Sequence, residues 1–165
     1  MKAAVLVETG KPLVIEDVVI SKPGPHEVLI RTAACGLCHS DLHFIDGAYP
    51  HPLPAIPGHE AAGIVEAIGS EVRTVAVGDA GEFCVSGRMS LCLGADTRRG
   101  ADEAPRITRP DGTTVGQMLN LSAFAEQMLI HEHACVRIDP EMPLDRAAVI
   151  GCAVTTGAGT IFNAC

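Results

Sequence analysis

The chain has 165 residues, a formal net charge of −8 and a sequence pI near 5.2. Charged residues make up 19% and apolar residues 47%, which is too apolar and too weakly charged for a disordered chain. The acidic balance argues against nucleic acid, no apolar run reaches the ~18 residues of a membrane helix, and the start is too short in apolar residues for a signal peptide, so a soluble, cytoplasmic protein is the expectation.

Gly 17 and Pro 11, scattered along the chain, suit short strands joined by turns. Residues 3–7 read as a strand and residues 13–20 as another. Ser21-Lys-Pro-Gly-Pro25 is a turn. Residues 27–35 alternate around Val28, Ile30 and Thr32, a half-buried strand. Residues 38–44, with Ser40 and Asp41 near the start, suit a short helix. Residues 47–58 hold four prolines and read as an irregular loop. Residues 59–69 read as a strand, with Gly63 allowing a bulge or a close backbone approach.

From residue 80 to 120 no period is sustained, and a disordered excursion is expected over 80–119. Strand-like patterns return at 122–130 and 134–138. Residues 143–149 look helical, and 151–165 form a Gly/Thr/Ala-rich helix. Gly157-Ala-Gly159 imitates the opening of a dinucleotide fingerprint, but the sixth position is Phe162 and no strand precedes it.

The seven cysteines are an odd number, and nothing suggests secretion. Metal or thiol chemistry is therefore a better default than disulfides. The informative stretch is Cys35-Gly-Leu-Cys38-His39-Ser40-Asp41-Leu-His43, followed by Gly58-His59-Glu60. Thiolate, imidazole and carboxylate form the ligand set of zinc. Cys35 and Cys38 could be half of a structural four-ligand site. One cysteine, His59 and a distant ligand could instead make an open, catalytic site, and no good second paired unit favours the first. Taken singly, His39 and His43 read as surface residues, Asp41 as a helix cap, Glu60 as a strand-edge charge and Cys152 as a core residue.

Together these residues resemble the zinc-dependent medium-chain alcohol dehydrogenases, in their N-terminal GroES-like catalytic domain. The anchors are Gly36-Leu-Cys38-His39-Ser40-Asp41, Gly58-His59-Glu60-Ala-Ala-Gly63, Val77-Gly-Asp79, and Ile150-Gly-Cys152 with Thr156. The resemblance implies a mainly β fold, a partly open GroES-like β-barrel with short helices, over residues 1–150. It implies Cys38, His59 and Cys152 as ligands of one catalytic zinc, with Glu60 as a near-metal carboxylate and alternate ligand. Asp41 would accept the other ring N–H of His59. Ser40 would hydrogen-bond the substrate oxygen, and His43 would end a proton relay to solvent. His39 would sit near the dinucleotide pyrophosphate and Thr156 near the nicotinamide. Cys35 would be a bystander.

The implied activity is NAD-dependent oxidation of primary alcohols to aldehydes, or the reverse. Such a reaction removes a hydride from carbon and a proton from oxygen. Zinc, as a Lewis acid, lowers the pKa of a bound hydroxyl, as it lowers that of water to roughly 7. His43, with an ordinary pKa near ~6.5, suits the last proton transfer. A small alcohol or aldehyde is the implied partner, and the full-length family form allows a homo-oligomer.

Two departures from the family matter. Many members carry a structural zinc lobe with four cysteines. Here Cys84 and Cys92 match only the last two, so no structural zinc is expected and 80–119 reads as a degenerate lobe. The family's dinucleotide-binding domain follows this region, and residues 151–165 read as the start of the helix leading to it. A catalytic-domain fragment, inactive alone, is therefore expected. The rivals are a non-enzymatic zinc-binding or interaction module derived from a dehydrogenase, and a redox protein using Cys35 and Cys38. A thioredoxin-like site wants a helix start in a βαβ context, which the strand-rich surroundings do not offer.

Overall fold

The computed structural model of the chain describes residues 1–83, 99 and 103–164. Its strands, in chain order, are β1 (Lys2–Val5), β2 (Val14–Asp17), β3 (Val19–Ile20), β4 (Glu27–Gly36), β5 (Ala55–Ile56), β6 (Glu60–Ile68), β7 (Ala80–Phe83), β8 (Ile107–Thr108), β9 (Gly116–Gln117), β10 (Gln127–His131) and β11 (Cys135–Arg137). The helices are α1 (His39–Ile45), α2 (Leu144–Ala147) and α3 (Thr155–Ala164). Among the described residues, no helix is long and apolar enough to cross a membrane.

The alternating residues of β4 and β6 build the centre of the molecule. A five-stranded antiparallel sheet runs in the order β10-β4-β6-β7-β11. Val28 and Ile30 of β4 pack with Val65 of β6 and with Met128 and Ile130 of β10, all nearly solvent-free. Burying such side chains contributes roughly 1.5–3 kcal/mol each. Ala62 points to the other face, where Ala147 and Ala148 cover it. Small residues here let α2 sit close to the sheet.

Gly63 has a specific reason. The register of β4 on β6 slips between Thr32 and Ala34, leaving Ala33 without a partner. This is a β-bulge, and it brings the backbones together. A Cβ at Gly63 would strike the carbonyl oxygen of Arg31.

Three two-stranded sheets flank the large one: β1-β2, β3-β8 and the parallel pair β5-β9. Among the described residues the sheets do not close into a barrel, and the mainly β, partly open architecture expected from the sequence is present. The strand expected over 13–20 is broken at the buried Val18, whose N–H donates to Met1 O. The proline loop at 47–58 ends in the short strand β5. The strand expected over 122–130 starts only at Gln127. Before it, Leu119, Asn120 and Ser122 take left-handed backbone conformations that end any regular pairing.

The disordered stretch expected over 80–119 does not hold for residues 80–83 or 103–119. These supply β7, β8 and β9, with Ile107 and Val115 buried. Two-residue strands held by distant partners carry no local period, which is why the pattern was silent. An ion-pair network fastens this region. Buried Glu27 accepts hydrogen bonds from Arg106 Nε at 2.7 Å, Arg99 Nη2 at 2.6 Å and Gly24 N at 2.8 Å. Cys84 and Cys92, the residues of the degenerate lobe, lie outside the described residues.

Burial pushes the Glu27 carboxyl up, but Arg99, the Gly24 amide and Arg106 outweigh it and hold the pKa at about 2, against an ordinary 4.5. A carboxylate depressed in this way stabilises the fold fully above pH 4.5 and loses that contribution as pH falls toward about 2. The contribution is on the order of 3 kcal/mol at neutral pH. Urea unfolding followed from pH 7 to pH 2 should therefore show a midpoint that falls steeply below about pH 4.5. Glu27→Gln should lower the midpoint at pH 7 and flatten that acid dependence.

Candidate metal centre

The site is assembled around the start of α1. Cys38 is the N-cap, and its N–H donates to Asp41 Oδ2 at 2.9 Å, while Asp41 N donates to Cys38 O at 3.0 Å. This reciprocal contact closes the first turn, the role a capping box performs. The other carboxylate oxygen of Asp41 accepts from Gly58 N at 3.1 Å and from His59 Nδ1 at 3.1 Å. One buried carboxylate thus ties the helix, the end of the proline loop and the His59 ring together. With Nδ1 engaged, Nε2 is the nitrogen left to act as a donor atom.

Glu60 follows His59 at the start of β6 and is buried. It faces Gly36 across the β4–β6 ladder, and a Cβ at Gly36 would strike its carboxylate. Glycine there is what leaves room for the acid. Cys152 arrives from far along the chain, on a π-helical turn spanning Ile150–Val154. Such wide turns re-aim a side chain inside a helix. Here the turn is steadied by Thr155 Oγ1 donating to Ile150 O at 2.6 Å.

Donor atoms of Cys38, His59, Glu60 and Cys152 all lie within 4.8 Å of one another. The two sulfurs are 3.9 Å apart. Among the described residues this is the one such group of metal-type donors. The structure therefore brings together all four residues that the sequence marked as metal donors. Cys35 does not join them. Its Sγ–H donates to Gly36 O at 3.3 Å, and burial pushes its thiol up to about 12.

The electrostatics of the group are uneven. Burial pushes the Cys38 thiol up, but hydrogen bonds from the Ser40 backbone and hydroxyl, from His59 and from Cys152 bring it below the ordinary thiol range. Cys152 goes the other way, pushed up to about 12 by burial, by Glu60 and by Cys38. The hydrogen bond to Asp41, acting against burial, raises His59 above the usual imidazole range. Two sulfurs and a carboxylate at this spacing cannot all hold negative charge by themselves. A divalent cation is what would make both thiolates tolerable.

The remaining sequence-marked residues are placed as follows. Ser40 Oγ lies 3.7 Å from Cys38 Sγ, beside the donor group. His43, one turn along α1, stands edge-on to His39, with ring centroids 4.5 Å apart. His39 is exposed on the helix surface. Thr156 is exposed in the first turn of α3, four residues after Cys152, and its carbonyl accepts from Thr160 Oγ1. Tyr49 was not singled out by sequence. Its ring stands edge-on to His43 at 5.3 Å, and its N–H donates to His43 O. The available signal was a lone tyrosine among prolines, six residues after the histidine.

The arrangement matches a known class of protein. Residues 24–140 match the alcohol dehydrogenase GroES-like domain. The chain belongs to that family. It is 39% identical, over 98% of its length, to the putative alcohol dehydrogenase D of Mycobacterium tuberculosis (strain CDC 1551 / Oshkosh). It is 40% identical, over 94% of its length, to the NDMA-dependent alcohol dehydrogenase of Amycolatopsis methanolica. It covers 48% and 46% of these proteins, so the chain spans about half the length of the curated relatives it matches.

Among solved structures, an alcohol dehydrogenase zinc-binding domain protein from Burkholderia ambifaria superposes with a TM-score of 0.88 at 34% identity, over 99% of this chain and 48% of that one. Benzyl alcohol dehydrogenase from Acinetobacter calcoaceticus superposes at 0.80 with 29% identity, over the same shares.

Asp41→Asn keeps the shape of the side chain but removes the charge that holds His59. Affinity for a divalent transition metal should fall about 10–100-fold, the usual cost of losing such a supporting carboxylate. Competition with a chromophoric chelator measures it. Unchanged affinity would show that His59 is oriented without Asp41.

Proposed function

We propose that Cys38, His59, Cys152 and Glu60 form the catalytic zinc centre of an NAD-dependent alcohol dehydrogenase acting on primary alcohols and aldehydes. The observation that carries this reading is the spacing of the donors. Two sulfurs each about 2.3 Å from a tetrahedral zinc stand about 3.8 Å apart, and here they are 3.9 Å apart. The donor set of two thiols, an imidazole and a carboxylate is the chemistry zinc takes. When bound, zinc would act as a Lewis acid that makes a substrate hydroxyl easier to deprotonate.

The chain's own residues supply the rest. Asp41 holds His59 in one tautomer, so the ring cannot turn away from the donor group. Ser40 Oγ, beside Cys38, is placed to accept a proton from a hydroxyl at the centre. His43, next along α1 and partly exposed, is placed to pass it to water. Its ring is flanked by His39 and Tyr49, which limits its rotation. Glu60, kept close by the absence of a side chain at Gly36, would be an alternate donor to the metal. His39 and Thr156, both exposed, would meet the dinucleotide. Leu37, Ile161 and Phe162, each more than half exposed, supply apolar surface of the kind a neighbouring domain covers. The relatives' names support an alcohol as substrate, and benzyl alcohol is the first to try.

Metal analysis of the reduced 165-residue protein should give one zinc per chain. Cys152→Ser should lose most of it, and Cys35→Ser should keep it. A metal-free protein, or the reverse pattern of loss, would overturn the ligand assignment. These 165 residues alone should form no NADH from ethanol or benzyl alcohol, because their one Gly-x-Gly lacks the rest of the dinucleotide fingerprint. Measurable NADH formation would show that dinucleotide binding needs nothing beyond them.

A further inference from the structure

The contact between Cys38 Sγ and Cys152 Sγ allows chemistry that a metal centre does not require. The sulfurs stand 3.9 Å apart, while a disulfide needs about 2.05 Å. Closing the gap takes less than about 2 Å of combined side-chain movement. Both residues are only half-buried, so a small oxidant reaches them. Cys38 stands at the start of a helix and Cys152 on an irregular π-turn, so a rotation of the two short side chains toward each other requires no regular element to be broken.

The obvious rival partner faces away. Cys35 is close to Cys38 in sequence, but its Sγ points to the Gly36 carbonyl at 3.3 Å and stands outside the donor group. The local Cys-x-x-Cys spacing therefore does not name the reactive pair. The long-range contact, across 114 residues, does.

We infer that Cys38 and Cys152 are a peroxide-sensitive pair that closes to an intramolecular disulfide, and that closure takes two donors away from the centre. The step balances. Cys38 Sγ attacks one oxygen of hydrogen peroxide, the O–O bond breaks, and the leaving hydroxide takes the thiol proton as water. Cys38 is then a sulfenic acid. Cys152 Sγ displaces its hydroxyl, the S–S bond forms, the S–O bond breaks, and a second water leaves. Two thiols are oxidised and one peroxide is reduced to two waters. The disulfide rests on the sulfur geometry alone. Its consequence, metal release, rests on the zinc reading, because a disulfide sulfur is no longer a thiolate and only His59 and Glu60 remain.

The test treats the reduced, chelator-stripped 165-residue protein with hydrogen peroxide. Denatured thiol counting should fall from seven to five, and peptide mapping should recover a Cys38–Cys152 cross-link that dithiothreitol reverses. Cys35→Ser should close the same bond, and Cys152→Ser should not. A Cys35–Cys38 link, an intermolecular link, or sulfinic acid at Cys38 without any cross-link would each overturn the pair. A second arm starts from protein loaded with zinc. A metal-sensitive dye should report zinc leaving in step with thiol loss, and loading that survives cross-linking would overturn the release. Reduced protein that takes up no zinc would sink the zinc reading while leaving the first arm intact.

Discussion

The Asp41 carboxylate is the constraint on which the site depends. It is almost fully buried, and it accepts hydrogen bonds from Cys38 N, Gly58 N and His59 Nδ1. A buried carboxylate is costly unless its lone pairs are occupied, and here three donors from two segments, the helix start and Gly58-His59, occupy them. The same contacts that make its burial tolerable fix where Cys38 and His59 stand. Stability and site geometry are therefore not separate properties at this point. The helix start and the end of the proline-rich loop at Gly58-His59, just before β6, are one unit.

Around that unit the fold supplies space more than force. Gly36 leaves room for the Glu60 carboxylate, and Gly58, at φ +95, lets the loop turn against the backbone of Phe124. Gly63 lets β4 and β6 approach where the bulge bends them. None of these glycines touches a metal donor with a side chain. Each removes an atom that would push a donor or its strand aside. The sulfur of Cys152 is brought in from the opposite end of the domain, so the centre also measures whether the α2–α3 region has docked.

Two sulfurs held close enough to share a cation are also within a short side-chain movement of bonding to each other. A binding geometry built from thiols carries this second reactivity with it. The proposed zinc centre and the proposed oxidation are thus two outcomes of one distance, selected by whether a cation or an oxidant arrives first. The half-buried setting leaves both routes open.

Much of the site was legible from the order of residues. Cys38 and His59 were marked by thiol and imidazole in one stretch, and Glu60 and Cys152 by the resemblance to the alcohol dehydrogenases. Asp41 was read as either a cap or a partner of His59, and the structure makes it both, one oxygen to each task. The alternating patterns of β4 and β6 were equally plain, since a sheet with a buried face must alternate. What order alone did not contain was everything held by distant partners: the two-residue strands β8 and β9, the Glu27–Arg99–Arg106 network, the packing of Cys35 against the core and away from the donor group, and the placing of Tyr49 against His43. The amino-acid sequence by itself determined which side chains could serve and where strands would run, since both follow from residue chemistry and local period. Only the tertiary structure decided which cysteine meets which, because that choice rests on packing between segments 114 residues apart, and no local rule spans that distance.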